Sequence, residues 1–417
     1  MNSLHVQREL DTDTPEGAAA ALRTTTAVRA RARQLLHHAR EGASRWFTVH
    51  DDALHSASVA VADITRARYP DLQIPYHSRW RHFEVGGVDR MAELDARLAA
   101  LDAPARARTM IDVAVVSVLL DAGAGPDWHY LEATTGQRFS RSEGLGVASW
   151  HAFLGGLFSS DAVHPLRVDA AGLRAVDAER LAGAFQVGSS NPLVGLDGRV
   201  ALLRRLGEAL AAQPDVFGPH GRPGGLFDWL GPRPGPVTAH EILSQILVSL
   251  SGIWLADNAI GVHPLGDCWR HRAVTGTGLT RGWVPFHKLS QWLTYSLLEP
   301  FEWAGVSVEG LDALTGLPEY RNGGLLLDTG VLRLRDPAWA ERTWNVSDEL
   351  VVEWRALTVA LLDELAPMVR ARLGMNAEQM PLACVLEGGT WAAGRALAQR
   401  LRGGRPPLSV ISDGTVF

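Results

Sequence analysis

The stretch PFHKLSQWLTYSLLEP (285–300), followed after a connector by LTGLPEYRNGGLLLDTGVL (314–332), decides how this chain folds. Proline is tolerated at a first helical position and opposes continuation, so Pro285 and Pro300 bracket a predicted helix. Phe286, Leu289, Leu293 and Leu297 recur at helical spacing as an apolar stripe. Lys288, Gln291, Tyr295 and Glu299 form a second stripe on another face. Lys288 is the only lysine among 40 Lys and Arg residues. A site that needs a compact ammonium explains its retention, and so does a solvated helix face. Pro318 opens the next predicted helix, with Glu319, Tyr320 and Arg321 in its first turn beside Gly323 and Gly324. A carboxylate there is favoured by the helix dipole and by unpaired N–H groups. The same three side chains also make an active-site edge, and both readings stand.

Working outward, the pattern is helical nearly throughout, which predicts one mainly α domain over 17–417 after a polar, flexible stretch at 1–16. Helices are expected near 17–41 and 51–68. Another is capped by Asp89, with Met91, Leu94, Leu98 and Leu101 inward. The run from Met110 to Leu120 is apolar almost all round and belongs at the centre of the core. It ends at Asp121, a carboxylate that burial would penalise unless partnered or facing a cavity. IPYHSRWRHFEVGG (74–87) is expected to be non-helical, with Arg79, Arg81 and His82 beside Trp80 and Phe83 as an anion grip or an anchored surface loop. Trp128–Glu132 and Gln137–Phe139 read as a strand pair turning at Gly136. Arg141, Ser142 and Glu143 lead into a small-residue helix at 144–158. Amphipathic helices at 176–186 and 199–212 flank GSSNPLVGLDG, and GPHGRPGG and GPRPGP frame an excursion near 218–236. A long helix begins at Ser347-Asp348; its Glu353 and Arg355 lie off the apolar face and are expected in solvent. GGTWAAGRA lacks the Lys and Ser/Thr of a phosphate loop, so its glycines are expected to start a helix that packs Trp391. The terminal SDGT (412–415) is a candidate for reaching the pocket.

Composition narrows the function classes. A net charge of −6 argues against a general nucleic-acid binder. Two cysteines are too few for a disulfide framework. The longest apolar run, IDVAVVSVLL, is too short for a membrane span, and no signal pattern opens the chain, so a cytoplasmic protein is expected. His263, Asp267, Cys268 and His271 have spacings that can converge on a metal, although Pro264 and Gly266 oppose one continuous face.

LEGGTWAAGR (386–395), SDGTVF (412–417), WHYLEATTG (128–136) and VPFHKLSQWLTYSLLEPFEW (284–303) resemble the uracil catabolism protein 4 family over nearly the whole chain. The order of motifs is more distantly similar to the queuosine-salvage N-glycosylases of the DNA-glycosylase-like fold. FHKLSQWL sits where that group has a Lys-Arg-Ala-Gln helix, and LTGLPEYRNGGLLLDTGVL where it has Leu-Thr and then Asp-Tyr-Arg-x-Pro-Gln. NPLVGLDGRVALLRRLGEAL (191–210) matches its Pro-Leu-x-x-Arg helix, and VEWRALTVALLDEL (352–365) its Glu-x-Arg-Ala helix. This resemblance puts Glu319 on the family's active-site aspartate and Lys288 on its site lysine, and it implies a scaffolding role for Glu353 and Arg355. Glu for Asp, Leu289-Ser290 for Arg-Ala, and Asn322-Gly323-Gly324 for the Pro-Gln segment are departures, so the resemblance implies a shared reaction type rather than a shared substrate.

The implied activity is N-glycoside hydrolysis in uracil breakdown, releasing urea from ribosylurea or its 5′-phosphate. Glu319 and Lys288 are the expected catalytic pair. Arg79, Arg81, His82, Asp121, Trp128, Glu143, Tyr320 and Arg321 are the expected substrate-binding residues, with Arg79, Arg81 and Arg321 suited to a phosphate. The scheme needs a small nucleoside-like substrate, no cofactor, no metal, no nucleic acid and no membrane, and it leaves homo-oligomerisation open. Two alternatives remain: a metal-dependent ureide or amide hydrolase built on His263–His271, and a non-catalytic accessory protein of the same pathway.

Overall fold

Helix starts are set by side-chain caps that the local sequence supplies. The structure, a computed structural model, describes residues 10–231 and 233–411, so the SDGT run lies outside the described residues. The first helix spans Pro15–Leu22, with Thr14 Oγ1 accepting the Gly17 N–H, two residues before the expected boundary. Thr24 caps the next, Thr25–Arg40, so the single helix expected at 17–41 is two. Asp89 and Asp102 cap Arg90–Arg97 and Ala103–Leu119 in the same way. Leu94 and Leu98 are buried as expected, whereas Leu101 lies past the helix end and is exposed.

Three long helices build the core: Ala103–Leu119, Lys288–Trp303 and Glu349–Leu373. The first two pack on each other, and the third packs on Thr25–Arg40 and Ala53–Arg68. Among the described residues strands occur only as six two-stranded pairs. His129–Glu132 and Gln137–Ser140 form the expected hairpin. Cys268–Arg270 pairs with Trp283–Pro285, which delivers the chain to Lys288. Thr343–Trp344 pairs in parallel with Ser409–Val410 and holds the end of the described chain against the core.

The bracketing role expected of Pro300 is not seen, since the helix continues to Trp303. Proline leaves the carbonyl of Ser296 without its intrahelical donor, and the Trp80 indole N–H fills that place at 2.8 Å. The polar stripe is not solvated either: Leu289–Phe301 is buried throughout, and Lys288 is half-buried.

Elsewhere the chain is more ordered than expected. Trp80–Phe83 forms one helical turn inside the segment read as non-helical. The small-residue helix is Arg141–Leu154, starting three residues early. The Pro/Gly-rich stretch carries a short helix, Gly225–Leu230, whose Phe227 and Leu230 join the main core. It is tied down by Asp112, which accepts from Arg222 at 2.6 Å and from the Gly224 N–H at 2.7 Å. Leu386–Thr390 is a π-helical turn leading into Trp391–Arg402. A Cβ on Gly389 would lie 2.5 Å from both the Val61 carbonyl and Thr65 Oγ1, so these glycines serve close helix packing. Among the described residues no helix is long and apolar enough to cross a membrane.

Candidate active site

The buried polar stripe of Lys288–Trp303 acts as a set of clamps on two distant segments. Gln291 donates to Thr315 Oγ1 at 2.7 Å and accepts the Thr315 N–H at 2.8 Å, and Tyr295 donates to the Thr315 carbonyl at 3.1 Å. These bonds fix the backbone just ahead of Glu319. One and two turns further, Glu299 accepts from Ser78 at 2.6 Å and Arg81 at 2.9 Å, which fixes the segment carrying Arg79 and His82. Burial pushes the Glu299 carboxyl up to about 7, against the opposing pull of Arg81 and Ser78.

Arg355 supplies a second support. It grips Asp267 with two bonds of 2.7 and 2.8 Å and donates to the Pro318 carbonyl at 3.2 Å. Asp267 in turn accepts the Lys288 backbone N–H at 3.0 Å. Arg355 thus joins the start of the lysine helix to the residue before Glu319. Glu353 and Arg355 are each 1% exposed, which corrects the expectation of a solvated pair. Glu353 accepts from Ser44 and meets His271 Nε2 at 3.0 Å.

Between these supports lies a cavity of about 430 Å³, within the size range of small-molecule sites. Glu319, Lys288, Asp121, His82, Tyr320 and Arg321 all line it, as do His77, Trp292 and Trp391. Glu319 is the N-cap of Tyr320–Asp328: its oxygens accept the Arg321 and Asn322 N–H groups at 2.7 and 2.5 Å. Both sequence readings of this side chain therefore meet in one residue, a cap that also faces the cavity. Burial pushes its carboxyl up, opposed by those two bonds and by Lys288. The Lys288 ammonium makes no hydrogen bond or ion pair to a described residue. Burial lowers its pKa, while the Asp121 and Glu319 carboxylates favour the charged form. Asp121 accepts from Arg79 at 2.6 Å and from Ser142 Oγ at 2.7 Å, with burial again pushing its carboxyl up. Burial holds His82 well below the ordinary histidine range, reinforced by Arg79 and His77, so it is neutral near pH 7.

Four expected binding residues lie elsewhere. Arg79 is fully buried behind the cavity wall, spent on Asp121 and Ser117. Arg81 pairs with Glu299 and Glu84 and faces a neighbouring cavity that shares His77, His82 and Trp391 with the first. Glu143 pairs with Arg395 in that second cavity. Trp128 is a core residue, its indole donating to the Phe185 carbonyl at 3.0 Å. The proposed metal set does not converge. Asp267 is held by Arg355, His271 by Glu353, and Cys268 packs in a small apolar cluster with Leu22 and Trp283. Among the described residues no three His, Cys, Asp or Glu side chains gather as a metal site.

Sequence reasoning missed Arg141, Trp292, Trp391 and Arg405 as cavity residues. Trp292 was within reach, since it sits one turn after Lys288. Arg405 and the segment to Val410 reach the cavity through the Thr343–Ser409 pairing, which carries no local sequence signal.

A family model described as a protein of unknown function (DUF1688) matches residues 21–417. The chain is 38% identical to "Protein urg3" of Schizosaccharomyces pombe over 399 residues, covering 94% of this chain and 96% of that one. It is also 38% identical over 377 residues to "Uracil catabolism protein 4" of Lachancea kluyveri, covering 82% of this chain and 85% of the relative.

Proposed function

Because the chain belongs to the DUF1688 family, we propose that it acts in uracil catabolism as an N-glycoside hydrolase, releasing urea from ribosylurea or its 5′-phosphate. The pathway is supported by the name of the Lachancea kluyveri relative, a uracil catabolism protein. The reaction type is supported by one observation above the others: an ammonium unpaired among the described residues, Lys288, and a buried carboxylate, Glu319, face the same cavity.

As the C1–N bond of the pentose lengthens, positive charge develops at C1 and the ring oxygen, and the Glu319 carboxylate stabilises it. The departing urea nitrogen takes a proton from Lys288, whose burial-lowered pKa makes it a better donor than an exposed lysine. A water adds its oxygen to C1 and gives its proton to Asp121, which Arg79 and Ser142 hold in place. Proton return from Asp121 to Lys288 restores the starting state, and the products are urea and the free pentose. His82 and Trp292, ring centroids 5.5 Å apart, supply a neutral wall for the sugar. Incubation of the pure protein with ribosylurea and with its 5′-phosphate tests the reading: urea and a reducing pentose are expected in equal amounts. Absence of both products from both substrates overturns it.

A further inference from the structure

Resting on the reading of this cavity as a pentosyl site, we propose that Arg141, Arg321 and Arg405 form an anion subsite at its edge that takes a phosphomonoester carried by the substrate. All three line the cavity, where with Lys288 they outnumber the two carboxylates, Asp121 and Glu319. Arg321 is 2% exposed, yet its Nε and Nη1 have no hydrogen-bond partner among the described residues. Its Nη2 donates to the Gly404 carbonyl at 3.1 Å, and Arg141 Nη1 donates to the same oxygen at 3.2 Å. Two guanidiniums thus share one neutral acceptor.

Three other buried arginines carry a counter-charge, whereas Arg199 is held by the Leu120, Val194, Ala122 and Gly123 carbonyls. Arg79, Arg90 and Arg355 each have a carboxylate within 2.6 to 2.7 Å. None of Arg141, Arg321 and Arg405 pairs with a carboxylate among the described residues. A buried guanidinium without a counter-charge is unfavourable, and its planar fork fits the oxygens of a phosphate. Burial disfavours the charge on Arg321, and Arg141 and Arg395 add to that against the opposing pull of Tyr320 and Glu319; a bound dianion would favour the charge further. The backbone is shaped around the pair as well. Gly404 has φ +89°, and a Cβ there would lie 2.9 Å from Gln399 Oε1 and 3.5 Å from Arg141 Nη2. Arg141 itself opens its helix at φ +56°. Arg321 follows Glu319 by two residues, so an anion held there keeps the attached pentose beside the carboxylate.

Calorimetric titration of the full chain with ribose 5-phosphate, ribose and inorganic phosphate tests the proposal. Ribose 5-phosphate is expected to bind at least about tenfold tighter than ribose, with the difference shrinking as NaCl is raised. The double variant Arg141→Gln/Arg405→Gln changes only exposed side chains, and it is expected to lose most of that difference while binding ribose as before. Arg321→Gln should do the same. Equal affinity for the two sugars, no binding of ribose 5-phosphate, or indifference to all three substitutions overturns the subsite. Two outcomes separate it from the reading beneath it. Hydrolysis of ribosylurea that ignores the 5′-phosphate and these arginines removes the subsite and leaves the glycosidase. Arginine-dependent binding of ribose 5-phosphate without urea release from either substrate supports the subsite and removes the glycosidase.

Discussion

Replacing Glu319 with glutamine separates the capping job of this side chain from its chemical one. The carboxylate accepts two backbone N–H groups, at 2.7 and 2.5 Å. Glutamine keeps one carbonyl oxygen for one of them and turns an amide nitrogen toward the other. The lost bond is to a charged group, worth about 1.5–3 kcal/mol, but the buried charge whose cost raises the Glu319 pKa is lost with it. The net loss should approach that of a deleted cap, about 0.5–2 kcal/mol. In a chain of this size that lowers Tm by only a few degrees. Loss of a charge set against a developing cation costs far more in rate, roughly 10²–10³ in kcat, or about 2.7–4 kcal/mol. Urea release timed on the variant, beside calorimetric Tm, reads the two effects apart. A kcat within about threefold of wild type, with Tm lowered as expected, refutes the reasoning: Glu319 would then be a cap and nothing more.

Lys288→Met keeps the length and removes the proton donor, so urea release should fall by about 10²-fold or more with Tm unchanged or higher, because a disfavoured buried charge is gone. The alkaline limb of the wild-type pH–rate profile should lie below the ordinary lysine pKa, and the residual activity of Lys288→Met should lack it. Glu299 gives a stability signature. Its folded pKa of about 7 exceeds the ordinary 4.5, so its contribution is fully present below pH 4.5 and is lost as pH rises through 7. Glu299→Gln should flatten the Tm–pH curve across that window, and an unchanged curve counts against it. Gly389→Ala drives a Cβ to 2.5 Å from Val61 and Thr65, and about 1–3 kcal/mol of overpacking should appear as a lower denaturant midpoint.

Much of the fold was legible because it is written locally. Asp89 and the periodicity of 285–300 each announce a helix within one or two turns of sequence, and the Trp128–Phe139 hairpin announces itself by alternation and Gly136. What escaped depends on partners far along the chain. Nothing near Pro300 reveals that Trp80 will take the stranded carbonyl, and nothing near Gln291 or Glu299 reveals that Thr315, Ser78 and Arg81 will cover a polar stripe. The solvated reading of Glu353 and Arg355 failed for the same reason, since Ser44, His271 and Asp267 lie at least 82 positions away. At the site, family resemblance singled out Glu319 and Lys288, and the pocket they share contains both. The arginines divided differently: type alone could not distinguish Arg79 and Arg81, spent on carboxylates, from Arg141 and Arg405, which are not.

The account turns on where a pentose lies. A crystal of the full chain soaked with ribose 5-phosphate measures this directly. The anomeric carbon is predicted against Glu319, with Lys288 on the side from which urea departs and the phosphate on Arg321. A sugar bound with C1 turned away from Glu319, or held outside this cavity, contradicts it.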